Sequence, residues 1–232
     1  MDLFDESNFI ARARELDRLE WLGDDAAAER AQLEAVDAAL FARLRQQIRE
    51  GSCRGAELLR VIRSFVPETR ANDGFDDLDT FLTGLLLHAP LPPPTKALDA
   101  EMVPYQRTPS RIALKLIEKL TPRDVFYDIG SGLGEIAILA NLLSGARAKG
   151  IEYEPAYVDY ARACAADLNV DVDFIAGDAR EADYSGGTVF FLYTPFRGQM
   201  LDDVLAKLRV RDVRIYAYGP ITESGRDLEP IR

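Results

Sequence analysis

Asp128, Gly130, Gly132 and Gly134 alternate along the stretch VFYDIGSGLGE, so an acid and three glycines stand where an apolar run gives way to helix-like text. Glycine adopts turn conformations that strain other residues, and it lets a ligand lie directly on backbone. A helix that starts just after such a turn offers unpaired N–H groups and the positive end of its dipole. Those features belong to a nucleotide-like ligand held at the tip of a strand. The spacing departs from the dinucleotide fingerprint G-x-G-x-x-G, and Asp128 would repel a pyrophosphate. An acid at that point suits a cationic ligand, such as one carrying an ammonium and a sulfonium. On the glycines alone, a turn in some other α/β fold stays open as the lesser reading of the residues.

Two more acids end later apolar segments. Glu152 closes G-I-E some twenty residues past the loop, where doubly wound folds place a carboxylate that accepts hydrogen bonds from ribose hydroxyls. Asp178 follows the run at 172–176 within G-D-A. Either acid by itself reads more readily as a solvated group at a strand end, but three acids at three successive strand ends form a pattern. The D-x-G-x-G-x-G spacing resembles the S-adenosylmethionine loop of class I methyltransferases. That resemblance implies S-adenosylmethionine as cofactor, held by Asp128, Gly130, Gly132, Gly134 and Glu152, with Asp178 facing the adenine amino group.

Upstream, V-P-Y-Q-R-T-P places Tyr105 and Thr108 just before a helix. Thr108 can cap that helix with Pro109 at its first position. Together with G-S-G-x-G, G-I-E and T-V-x-x-L-Y, the segment is similar to bacterial and mitochondrial protein-lysine methyltransferases distantly akin to the Dot1 group. The likeness covers roughly residues 105–208 and does not extend to residues 1–95. It implies that Tyr105 and Thr108 fold over the methionine end of the cofactor, and it makes a protein lysine the first acceptor to consider. In nucleic-acid amino methyltransferases the fourth strand often ends in N-P-P-Y or D-P-P-Y, whereas here it ends Tyr193-Thr194-Pro195-Phe196. The missing Asn or Asp weighs against a nucleobase amine.

Methyl transfer is an in-line displacement that needs alignment and exclusion of water more than a strong base. Tyr193 and Thr194 are the candidate catalytic residues, since they, or a water they orient, could hold a neutral amine. His88, the only histidine, stands at a helix end and reads as a cap or a solvated side chain. A small metabolite is the alternative acceptor. A noncatalytic cofactor-binding scaffold is the alternative class, and an oxidoreductase is disfavoured by the glycine spacing and Asp128.

The elements that must position these residues are legible in outline. Residues 8–65 are rich in Ala, Leu, Arg and Glu, and Leu33, Val36, Leu40, Leu44 and Ile48 recur at helical spacing. Further helices are expected over 56–66 and 76–87, which makes residues 1–95 an all-helical unit. The proline run at 90–94 favours an extended linker that would mark the boundary of a second unit, residues 96–232, and reads equally as a rigid surface loop within a single domain. Beyond a helix over 109–120, strands near 125–129, 148–151, 172–175, 188–193 and 214–218 alternate with helical text at 135–143, 155–167 and 197–208. Such alternation predicts an α/β fold, a Rossmann-like doubly wound parallel sheet of order 3-2-1-4-5. Only about a dozen residues follow the fifth strand, so the C-terminal edge is expected to be shortened relative to a complete class I sheet.

Composition bounds the rest. The chain has 232 residues and a formal charge of -11, which disfavours nonspecific binding to a phosphate backbone and makes nucleic acid a poor candidate partner. Its two cysteines, Cys53 and Cys164, fit no ligand spacing, so neither a disulfide framework nor a metal site is expected. The acidic N-terminus and the lack of a long apolar run predict no signal peptide, no membrane span and a cytoplasmic setting.

Overall fold

A computed structural model describes residues 2–67, 74–193, 195–209 and 212–218. Helices α1 (Phe9–Leu22), α2 (Ala27–Arg49), α3 (Ala56–Phe65) and α4 (Asp77–Leu86) precede the proline run. On α2 the stripe at Leu33, Leu40, Leu44 and Ile48 is buried, while Val36 at its margin is only half-buried. Phe9, Phe41, Phe65 and Phe81 form an aromatic knot, with the Phe9 and Phe81 rings perpendicular at 5.1 Å. A methyl group on Gly84 would stand 2.2 Å from the Phe41 ring, so glycine is what lets α4 approach α2. Arg45 of α2 donates to the carbonyls of Gly84, Leu85 and Leu87, groups that a helix end leaves without partners.

The second half comprises α5 (Ser110–Ile117), β1 (Val125–Ile129), α6 (Glu135–Ser144), β2 (Arg147–Glu152), α7 (Pro155–Asp167), β3 (Val172–Ala176), β4 (Val189–Leu192), α8 (Gly198–Arg209) and β5 (Arg214–Ala217). The strands form one parallel sheet of order β3-β2-β1-β4-β5, as the alternation predicts. Every residue of β1 is buried, which is what a central parallel strand covered on both faces requires. The fold is therefore α/β and doubly wound, with a long helical unit before it. Residues 219–232 lie outside the described residues, and the expected shortening of that edge lies there with them.

One face of the sheet packs on α8, where Met200, Val204, Leu205 and Leu208 meet Tyr127, Phe190 and Leu192. The other face carries α6, whose Ile136, Ala137, Leu139 and Ala140 belong to the same buried cluster as Leu44, Leu58, Ile62, Phe81 and Leu85. The helical unit and the sheet unit thus share a core. Polar links join them too: the Gly55 amide donates to the Leu142 carbonyl at 2.8 Å, and Arg49 pairs with Asp167 at 2.9 Å.

After the prolines, residues 95–109 run as a strap without helix or strand across the carboxyl ends of the sheet. Two buried or half-buried acids fasten it. Glu154, the N-cap of α7, accepts from the Thr95 hydroxyl and from the Thr95 and Lys96 amides. Glu101 accepts from the Gln199 and Met200 amides at the start of α8, and Met102 bridges Phe196. The strap ends at α5, and here the structure corrects one expectation. Thr108 does not cap α5. Pro109 holds the cap position without a side-chain bond, and the Ser110 amide donates instead to the Asp79 carboxylate of α4 at 2.7 Å.

Candidate functional site

A cavity of about 480 Å³ opens at the carboxyl ends of β1, β2 and β4, under the strap. This is the switch point between β1 and β4, where open parallel sheets bind ligands. Its size lies within the usual range for small-molecule sites, about 300 to 1,000 Å³. Asp128, Gly130, Ser131, Glu135 and Glu152 line one side, Tyr105 and Thr108 the strap side, and Tyr193 the β4 side.

The loop after β1 is folded back on β2, because the amides of Gly130 and Ser131 both donate to the Ile151 carbonyl. Glu152, the last residue of β2, completes the fold by accepting the Gly132 amide at 2.8 Å and the Glu154 amide at 2.9 Å. All three loop glycines have positive φ. The room left by their missing side chains is taken by the protein itself. A Cβ on Gly130 would lie 2.3 Å from Pro195, and one on Gly132 would lie 2.3 Å from the Tyr105 ring. Gly132 and Gly134 accordingly support the loop without lining the cavity, Gly134 being packed against Phe174 and Ala161.

Asp128 is buried, and one of its carboxylate oxygens has no hydrogen-bond partner. Burial, with a smaller contribution from the charge of Glu152, pushes its carboxyl up to about 8. The Glu152 carboxyl is also raised by burial, in spite of the amides it accepts. At Glu154 burial works in the same direction but is outweighed by the Thr95 hydroxyl and the Ala156, Lys96 and Thr95 amides, which hold the carboxyl down at about 2.

Tyr105 stands edge-on to Tyr157 with ring centres 5.4 Å apart, and burial first, then Glu135, raises its hydroxyl well above the usual tyrosine range. Tyr193 is stacked on Tyr218 at 5.5 Å, its hydroxyl likewise raised by burial. Thr194 lies outside the described residues.

Asp178, the third of the expected acids, does not line this cavity either. Its carboxylate is held by the Arg180 guanidinium at 2.7 Å and by the Arg180 amide at 2.8 Å, which lowers its titration, and it borders a neighbouring groove beside Lys149. Gly177 and Ala179 on either side of it reach the cavity.

Sequence reasoning passed over three features. Ser131 is 7% exposed, lines the cavity and has a hydroxyl without a partner; its only signal is a polar residue amid the glycines. Glu135, at the start of α6, pairs with Arg107 of the strap at 2.5 Å, and burial raises its carboxyl against the pull of that arginine. Glu154 and Glu101, the strap fasteners, carry no local pattern that marks them.

Among the described residues no group of three or more His, Cys, Asp or Glu side chains is placed to hold a metal ion, and no helix is long and apolar enough to cross a membrane. Cys53 and Cys164 are buried and free. His88 lies 3.3 Å from Asp167, away from the cavity.

No family model matches the chain. Over 60 residues it is 40% identical to an uncharacterised protein of Methanocaldococcus jannaschii, a match that covers 26% of this chain and 27% of that one. The chain thus spans about a quarter of that relative's length. Among solved structures it is similar to an RNA methyltransferase from Salinibacter ruber in complex with S-adenosyl-L-homocysteine, at 32% identity, with 49% of this chain and 78% of that chain covered and a TM-score of 0.44. It is also similar to a geranyl diphosphate C-methyltransferase from Streptomyces coelicolor A3(2), at 21% identity, 47% and 43% coverage and a TM-score of 0.42. A third likeness is to a precorrin-6y C5,15-methyltransferase from Geobacter metallireducens, at 20% identity, 53% and 69% coverage and a TM-score of 0.44.

Proposed function

We propose that this chain is an S-adenosylmethionine-dependent methyltransferase. The observation that carries the proposal is a pair of carboxylates, Asp128 and Glu152, lining one cavity at the sheet's switch point, with an oxygen of the buried Asp128 unpartnered. Asp128 is buried and Glu152 half-buried near it, so ionising both sets like charges against each other, and the lone oxygen costs desolvation energy. A ligand that brings positive charge and hydrogen-bond donors relieves both, whereas a pyrophosphate aggravates them. The unpartnered Ser131 hydroxyl adds a second polar group for such a ligand.

In this reading Asp128 receives the ammonium of the cofactor and Glu152 its ribose hydroxyls, on the loop shaped by Gly130, Gly132 and Gly134. Tyr105 and Thr108 close the methionine end from the strap. Asp178 meets the adenine amino group only by leaving Arg180, so it is the least supported member of the set. When bound, the cofactor supplies an electrophilic methyl group on a sulfonium. Tyr193 keeps its proton at neutral pH, as an ordinary tyrosine does, and burial raises its hydroxyl further. It therefore orients an acceptor by hydrogen bonding, with Thr194 as the second candidate, while the strap excludes water.

The acceptor proposed first is the amine of a protein lysine, supported by the resemblance of residues 105–208. A small molecule is the second reading. The observation that favours it is the apolar lining that the strap adds, since Leu98, Met102 and Val103 line the cavity together with Phe196 and Met200. Residues 1–95 are read as a helical unit that buttresses the cofactor unit, residues 96–232.

Calorimetry with S-adenosylmethionine, S-adenosylhomocysteine and NAD tests the class: the first two are expected to bind, and preferential binding of NAD overturns it. Transfer of labelled methyl in a cell extract, read by mass spectrometry, identifies the acceptor. Tight cofactor binding without transfer to any protein or metabolite would favour a noncatalytic scaffold.

A further inference from the structure

We infer that Asp79, in the helical unit, is a positioning residue for the cofactor cavity, acting through the strap; this rests on the methyltransferase reading and gives the helical unit a part in it. Asp79 is 4% exposed and lies in the first turn of α4. One oxygen of its carboxylate accepts the Asp76 amide at 2.7 Å, closing the capping box that starts α4. The other accepts the Ser110 amide at 2.7 Å, starting α5. Its backbone carbonyl accepts from the Arg107 guanidinium at 3.0 Å, and the same nitrogen reaches Glu135 at 2.5 Å.

A chain of contacts therefore runs from α4 to the cavity. Asp79 holds the strap at two points, the Arg107 side chain and the Ser110 backbone. Between and beside those points stand Tyr105 and Thr108, which line the cavity, and the ion pair ends on Glu135, which lines it as well. A buried carboxylate that only capped its own helix would need one amide. This one spends its second oxygen on another helix, and the strap's last residues have no sheet or helix pairing of their own to hold them. Losing that bond frees the strap end where the cofactor's methionine end is placed. The Tyr105 ring would then be free to leave Gly132, while the Arg107 link, made to the Asp79 backbone carbonyl, would stay.

The inference separates a positioning role from a merely structural one through affinity measured on folded protein. Cofactor binding to Asp79→Ala, Arg107→Met and the core variant Phe81→Leu is measured by calorimetry with S-adenosylhomocysteine, beside thermal melts of each. Losing a hydrogen bond to a charged group is expected to weaken binding about tenfold or more in Asp79→Ala and Arg107→Met. Phe81→Leu is expected to lower the melting temperature and leave the affinity of the folded protein unchanged. Wild-type affinity in folded Asp79→Ala overturns the inference. If that variant does not fold, wild-type affinity in Arg107→Met overturns it instead, since Arg107 is part-exposed and outside the core. Failure of wild-type protein to bind the ligand at all would sink the methyltransferase reading, a different outcome from equal binding by wild type and variant.

Discussion

Replacing Asp128 by Asn should make the ligand-free protein more stable, and more so as pH rises. The folded carboxyl is pushed up to about 8 by burial and by Glu152, against an ordinary value of 3.8. Between those two values the folded state holds a proton that the unfolded chain has released. Stability therefore falls as pH rises through this window, and levels off above it. Asn has the shape of the neutral acid and no charge to bury, so its curve lacks this descent. With one unit worth about 1.4 kcal/mol, the variant's advantage grows by about 4 kcal/mol between roughly pH 5 and pH 9. Urea melts of both proteins across that range measure it. Every other titrating group is common to the two, so the difference isolates this one position. Parallel stability curves would show that Asp128 is hydrated or paired in solution, and would remove the electrostatic basis of the proposed site.

The same carboxyl must ionise to pair with a cationic cofactor, so wild-type affinity for S-adenosylmethionine should rise between about pH 6 and pH 8; calorimetry in buffers of different ionisation heat would detect the released proton, and a flat profile would count against the pairing. Glu152→Ala should weaken the cofactor by about 1 to 3 kcal/mol through lost charged hydrogen bonds, and unchanged affinity in folded protein would place the ribose elsewhere. Phe81→Ala, at the centre of the aromatic knot, should cost about 3 to 5 kcal/mol and shift one cooperative transition for the whole chain, because helical unit and sheet share a core. Two separated transitions, only one of them shifted, would show that they do not.

The sheet was legible because each of its strands is short, carries apolar residues and is bounded by turn residues, and the β/α alternation leaves few topologies. The ends of elements were less so. Thr108 followed by proline is a sound local cap signal, yet Asp79, thirty-one residues before Ser110, takes the helix start, and no local rule sees a partner at that distance. Asp178 shows the same limit. Its place after β3 follows from the pattern, but Arg180, two residues on, turns its carboxylate away from the cavity.

By itself the sequence determined the order of elements, the glycine loop and the acids at the strand ends, because periodicity and turn chemistry act over a few residues. It also put Asp128 next to the loop. Only the tertiary structure decided that Asp128 is buried with an oxygen unpartnered, that Pro195 and Tyr105 fill the glycines' space, and that a strap fastened by Glu154, Glu101 and Asp79 roofs the cavity. Burial and hydrogen-bond partners depend on which distant segments meet, and that is set by packing the whole core.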